Sequence, residues 1–367
     1  MVMVFVAGSL MALVGASMLA IDVGMLMTAR TQAQNAADAG ALAGAVALAF
    51  DDYGDRSSSS PAVQNAVGAA RANSVMGTPV SIDEGDVQFL NDPAGLPNWV
   101  RVTVFRAGSR ANPVSTLIAS FFGVSSADIV ANATAETTPA NAAECVLPFA
   151  VADRWIERQT PSWDPGDTFT AFPKNPSVLP DIFRTVDRSD YTGFNAANDK
   201  GLQVVIRAAT TGQISPSYYY PLALADSSGA GDYEWNIANC NTSVLHFFDL
   251  LTAEAAGMEG PTAQGIQELI AQDPSAYWDA GAGKVVSSMQ PTPRVKLLPV
   301  FDPYYFDTGK KAGRLTDLKA SNFVGIFIEG LQGSDVVARV VPARGKLDAA
   351  ASSAPVGSFP RVIRLVQ

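Results

Sequence analysis

From Met1 to Ile21 the chain carries no charged side chain, and Asp22 and Arg30 are the only charges ahead of Asp38. An uncharged run of this length has few folded options. It belongs in a membrane or in an equally dry core, as a helix, because a helix satisfies its own backbone groups where water is absent. About 20 residues at about 1.5 Å each cross a hydrocarbon layer of about 30 Å. A signal peptide would begin with a basic region, hold an apolar stretch of only about 7–15 residues and change texture after a small-residue cleavage site. Here the run is apolar from Met1, and the residues from Thr28 to Ala37 continue it with helix formers and neither proline nor glycine. The pattern predicts one helix over residues 1–50, about 75 Å long. Its second half is expected to leave the apolar phase and run on in water as a stalk.

Small residues mark one face of the apolar half. Gly8, Ala12, Ala16, Ala20 and Gly24 recur every four residues, with Gly15 beside them, and the series resumes in Ala33, Ala36, Ala37, Gly40, Ala41 and Gly44. Small side chains at this spacing let helix backbones approach closely, which is how helices associate where no hydrophobic force separates protein from solvent. Gly8, Ala12, Ala16, Ala20 and Gly24 are therefore candidate helix-packing residues, with other copies of the chain or similar helices as partners. The plain alternative is that alanine and glycine are common in membrane helices.

The same stretch carries a family resemblance. Ala20-Ile21-Asp22-Val23-Gly24, then Arg30, then Gln34-Asn35-Ala36-Ala37-Asp38-Ala39-Gly40-Ala41-Leu42-Ala43-Gly44-Ala45, resembles the amino-terminal region of TadE/TadG-like proteins of tight-adherence (Flp-type) pilus systems. The resemblance implies a non-enzymatic, pilin-like subunit or accessory component of a bacterial surface filament. Such a protein sits in the inner membrane before assembly and on the extracellular surface after it. It also leaves open a membrane-anchored pilus-assembly or adhesion protein that never polymerises. Flanking Lys and Arg orient membrane helices, and none precedes this run, so a basic leader lost in processing is expected, as in prepilin-like proteins. Those proteins often carry glutamate at the fifth mature position, where this chain has Phe5.

A length of 367 residues suggests two or three domains, and 48% hydrophobic content supplies real cores. Net charge is -10 with no Lys/Arg cluster. Nucleic-acid binding is excluded on that ground, since it needs a basic face against the phosphates. Residues 51–60 read as a polar loop whose acidic spacing does not fit a calcium loop. A small α+β head follows over residues 51–138: a helix from Pro61 to about Val75, short strands near 80–82, 87–89 and 100–105, a helix from about Pro113 to Phe122, and a strand near Ile129–Ala135. Residues 137–141 read as a linker.

From residue 139 to 367 the texture is β-rich, with short apolar runs at 202–206, 218–225, 295–301, 323–328, 336–341 and 362–366. Two helices interrupt it, Val244–Ala256 and Thr262–Gln272. The fold class expected is thus α+β, with a long amino-terminal apolar helix, a small α+β head and a β-rich domain containing two helices. Cys145-Val146-Leu147-Pro148-Phe149-Ala150 and Gly260-Pro261-Thr262-Ala263-Gln264-Gly265 resemble patches of larger TadG-like proteins, without implying an activity.

The only cysteines are Cys145 and Cys240. In an exported chain one pair is most simply a disulfide, here closing about 100 residues, for which the chain-entropy account gives about 4.7 kcal/mol. Two separate thiols are the alternative. No catalytic, metal or cofactor site is expected. His246, the single histidine, sits in an apolar segment as a packing or capping residue, and no nucleophile elbow, zinc motif or phosphate loop is present. Some larger TadG-like proteins carry an Asp-x-Ser-x-Ser metal motif. Asp226-Ser227-Ser228-Gly229-Ala230 approaches it but has Ala230 where the second serine belongs, so a turn after a strand is expected. Tyr218-Tyr219-Tyr220 and Pro303-Tyr304-Tyr305-Phe306 read as strand and turn residues of a core, with a carbohydrate or protein contact surface as the alternative.

Overall fold

The computed structural model describes residues 2–93, 95–210, 212–224, 229–254, 257–289, 291–314 and 317–366, apart from the side chains of residues 17–19, 121 and 122. The chain divides into two compact units, residues 1–137 with 363–367, and residues 138–362.

The first unit is built on one helix, α1, Val2–Phe50. Its second half does not run in water. Ala29, Ala33, Ala36, Ala37, Ala41, Ala45 and Leu48 are buried in the unit's core. Helix α2, Pro61–Arg71, packs on this face; Ser60 caps it by accepting the Val63 amide, and Pro61 takes the first turn. Strands β1 (Val87–Leu90), β2 (Trp99–Arg106) and β3 (Ile129–Pro139) form an antiparallel sheet against the same helices. The sheet is completed beside β3 by the last strand of the chain, Arg361–Val366. Alternation decides the faces: Val100, Val102 and Val104 are wholly buried toward α1 and α2.

The helix expected over 113–122 is absent. Val114–Ser115 pairs with Ser126–Ala127, and the tip between them holds a short 3-10 turn, Ala119–Phe122. The β-branched residues Val114 and Thr116 suit the extended arm. The turn is capped from far along the chain, as described below. The 137–141 stretch is also not a free linker: Ala140 is buried and its amide donates to the Pro360 carbonyl.

The second unit is a mixed sheet that closes on itself. Strands β4 (Phe149–Ala152), β5 (Gln203–Ala208), β6 (Tyr218–Pro221), β7 (Val295–Phe301), β8 (Leu318–Gln332) and β9 (Asp335–Val340) follow the order β8-β7-β4-β6-β5-β9, and β9 pairs back onto β8. The β4–β7 and β5–β6 pairs are parallel and the others antiparallel. A register shift between Ile328 and Gly330 lets β8 serve both neighbours. One set of alternating side chains, including Phe149, Val151, Val300, Val324 and Ile326, packs with helices α3 (Ala230–Ala238) and α4 (Glu259–Gln272). The other set, including Ala150, Ala152, Phe301 and Phe323, packs with Trp155, Phe169 and Phe306.

Two expectations for this unit need correction. Residues 244–254 are not helical; Leu245–His246 pairs with Ala142–Ala143, and Leu250–Leu251 pairs with Leu318–Lys319. The apolar spacing there fits either period, and two waiting strand edges decide it. Pro303–Phe306 is not a strand or turn but the start of helix α5, Pro303–Lys311, whose cap is the Asp302 carboxylate accepting the Tyr305 amide at 2.9 Å.

Candidate functional site

The candidate site is the free half of α1. Up to Gly24 its described side chains, Asp22 apart, are largely exposed: Met3 is 88% exposed and Leu10 63%. The helix is long and apolar enough to cross a membrane, and none of its apolar window is buried within the protein. Ala12, Ala16 and Ala20 are exposed, and a methyl group added at Gly8, Gly15 or Gly24 would meet no atom within 4 Å. The hydroxyls of Ser9 and Thr28 are satisfied along the helix. Ser9 donates to the Phe5 carbonyl at 2.8 Å and Thr28 to the Gly24 carbonyl at 3.0 Å, so neither needs water.

The continuation of the same small-residue series is already in use. A methyl at Gly44 would lie 2.9 Å from Val100 Cγ1 and 3.1 Å from the Ala66 methyl, and one at Gly40 would lie 3.1 Å from the Ala66 carbonyl oxygen. Glycine here is what allows α2 and β2 to approach the helix axis. The chain therefore displays, in its own core, the packing that its free half leaves without a partner.

Asp22 stands where the two halves meet, and its role escaped sequence reading. It is buried, 4% exposed, and its carboxylate accepts the amides of Leu117 at 2.9 Å, of Ile118 at 3.0 Å and of Ala119. These are the open N–H groups at the start of the 3-10 turn. The only charge in the first 29 residues thus holds a hairpin tip 95 residues away against the helix. A lone acid ending an apolar run was the available signal, but nothing local names its partner.

In the second unit Cys145 and Cys240 are joined by a disulfide with Cα atoms 4.4 Å apart. Next to it, Lys296 donates to the Asn239 carbonyl at 2.7 Å, at the carboxyl end of α3, and burial pushes its ammonium down to about 8. His246 Nε2 lies 3.0 Å from Asp348 Oδ2, and this contact holds the Asp348 carboxyl below its ordinary value.

Burial displaces four carboxyls upward, those of Asp153, Asp181, Asp199 and Asp302. Burial pushes Asp153 up to about 6, while Tyr191, Ser321 and the amides of Arg154 and Phe194 all donate to it and limit the rise. Burial likewise pushes Asp181 up to about 6, aided by the neighbouring Glu157, against the amides of Thr170 and Arg158. These donors leave Asp153 and Asp181 tying loops together. Among the described residues, no three of His, Cys, Asp and Glu gather in a way that could hold a metal ion. Asp226, Ser227 and Ser228 lie outside the described residues.

The aromatic segments separate. Tyr219 is buried beside Phe149, whereas Tyr304 is half exposed, with the Phe172 ring 5.8 Å away.

No curated protein and no solved structure matches the chain. A family model described as "Putative Flp pilus-assembly TadE/G-like" matches residues 1–47. That family is one of pilus-assembly proteins, and with the uncovered apolar helix it fits a membrane or envelope location. The segment bearing the exposed small-residue face, Asp22 and the tightly packed Gly40 and Gly44 is thus similar to TadE/G-like pilus-assembly proteins.

Proposed function

We propose that the protein is a pilin-like structural subunit, or an accessory component, of a Tad-type surface filament. It associates through Gly8, Ala12, Ala16, Ala20 and Gly24 with other copies of itself or with other pilin-like subunits. Before assembly the free half of α1 lies in the inner membrane, and after it in the dry centre of an extracellular filament, with residues 138–362 as an exposed domain. The function asked of the chain is assembly and needs no cofactor or catalytic group.

One observation carries this reading: a single helix has one face buried by its own unit from Ala29 onward and its apolar side chains exposed before Gly24, with the same small-residue spacing in both halves. Dispersion contacts along a flat helix face supply the association, because lipid tails are as apolar as the side chains they would replace. Replacing Ala12 and Ala16 together by leucine keeps the segment as hydrophobic and blocks close approach. Normal membrane insertion with loss of filaments or oligomers is the expected result, read by fractionation and electron microscopy. Parent-like assembly would show that the small-residue face does not drive it, and absence of filaments or oligomers from the parent itself would move the reading to an anchored pilus-assembly or adhesion protein that does not polymerise.

A further inference from the structure

The hairpin tip that Asp22 holds against α1 is more apolar than a solvent-facing loop requires. Leu117 is 60% exposed and Val124 54%, and both flank the 3-10 turn Ala119–Phe122. The tip is well ordered by bonds of its own. The Thr116 amide donates to the Ser125 carbonyl at 3.1 Å, the Thr116 hydroxyl donates to the Val124 carbonyl, and Val124 closes the turn by donating to the Ala119 carbonyl at 3.0 Å. With its polar backbone paired in this way, the tip still keeps two large apolar side chains outward.

Its level along the helix gives the surface a partner. The tip is fixed to α1 at Asp22, on the apolar side of the first basic residue, Arg30. On α1 itself exposed apolar side chains bracket this level, with Ile21, Val23 and Met27 at 52%, 41% and 67% exposure, and the first basic residue, Arg30, is exposed about 12 Å farther on. Leu117 and Val124 continue that apolar surface sideways.

We propose that the 117–124 tip is a second membrane contact, seated in the lipid interface beside the helix, and that Asp22 is the residue that positions it. The occupant is the lipid surface, and the proposal rests on the reading of α1 as a membrane helix. Two anchoring points fix the rotation of the head about the helix axis, which a single helix leaves free. The Asp22 carboxylate can lie at this depth because three amide donors replace its water.

The test uses the full chain reconstituted in vesicles of phosphatidylethanolamine and phosphatidylglycerol. Single variants Leu117→Cys, Val124→Cys, Leu10→Cys and Ser58→Cys each carry an environment-sensitive fluorophore, with nitroxide-bearing lipids as shallow or deep quenchers. Expected are strong shallow quenching at 117 and 124, deep quenching at 10, and none at 58. In Asp22→Ala the quenching at 117 and 124 should fall several-fold while that at 10 persists. Quenching at 10 without quenching at 117 and 124 overturns the proposal and leaves the membrane helix standing. Absence of quenching at 10 overturns the membrane reading itself, and this proposal with it. Protection of 117 and 124 only in assembled filaments, with no lipid quenching, assigns the tip to a neighbouring subunit and also overturns it.

Discussion

At the scale of single residues, buried charge decides most of the chemistry. Asp22 satisfies three amides with one carboxylate, so Asp22→Ala leaves those donors without a partner at the tip. Hydrogen exchange at Leu117, Ile118 and Ala119 should accelerate at least about tenfold, corresponding to loss of about 1.4 kcal/mol or more of local stability. Unchanged exchange would remove Asp22 from its positioning role. Asp153 gives a pH signature. Its pKa is raised from 3.8 to about 6 by burial, so the folded protein holds the proton over a range in which the unfolded chain has lost it. Stability from this group is therefore fully present below about pH 4 and declines as pH rises through about 6, by about 3 kcal/mol in all. Urea unfolding at pH 4.5 and 7 should show this slope, and Asp153→Asn should flatten it. Asp153→Ala, which strands four donors, should cost about 3 kcal/mol or more.

At the scale of elements, α1 is one helix with two environments, and the same residue type has opposite consequences in each. Gly44→Leu must separate α1 from α2 and β2, because even a first methyl meets Val100 at 2.9 Å. A loss of about 3 kcal/mol in the first unit is expected. Gly15→Leu projects into open space and should leave thermal stability in detergent unchanged, or slightly raised by better helix propensity. Equal effects at the two positions would contradict the division of the helix. The disulfide acts at the same scale, joining the segment before β4 to the end of α3. Non-reducing mass spectrometry of a tryptic digest should recover Cys145 linked to Cys240, and two free thiols in exported protein would refute the pairing.

At the scale of the whole molecule, each unit carries its own core, and the free helix half adds to neither. Removing residues 1–20 should give a protein that needs no detergent, keeps its melting temperature within about 2 °C and no longer partitions into vesicles, because it loses apolar surface but no core contact. Removing residues 1–44 takes away Ala29, Ala33, Ala36, Ala37 and Ala41, and should unfold the first unit while residues 138–362 stay resistant to trypsin. Resistance of both units in the longer truncation would mean that α1 is dispensable to the first fold.

Much of this was legible in the chain itself. The α1 helix follows from an uncharged run and an unbroken series of helix formers, properties that no distant contact has to supply. The same holds for α2, opened by Ser60 and Pro61, and for β2, where Val100, Val102 and Val104 alternate. Helix α5 was signalled too, by Asp302-Pro303, and was overlooked because its aromatic residues read as strand. Other features were settled only by tertiary structure. Residues 244–254 could satisfy either period, and the free edges at Ala142–Ala143 and Leu318–Lys319 made them extended. The 113–122 segment lost its expected helix to a pairing strand and to a carboxylate 95 residues away. The final strand, grouped by sequence with the β-rich region, joins the first unit's sheet. Sequence determines what is local, namely apolar phase, helix propensity and alternation. Tertiary structure decides which faces are covered and which polar groups meet, because those energies depend on partners that no local window contains.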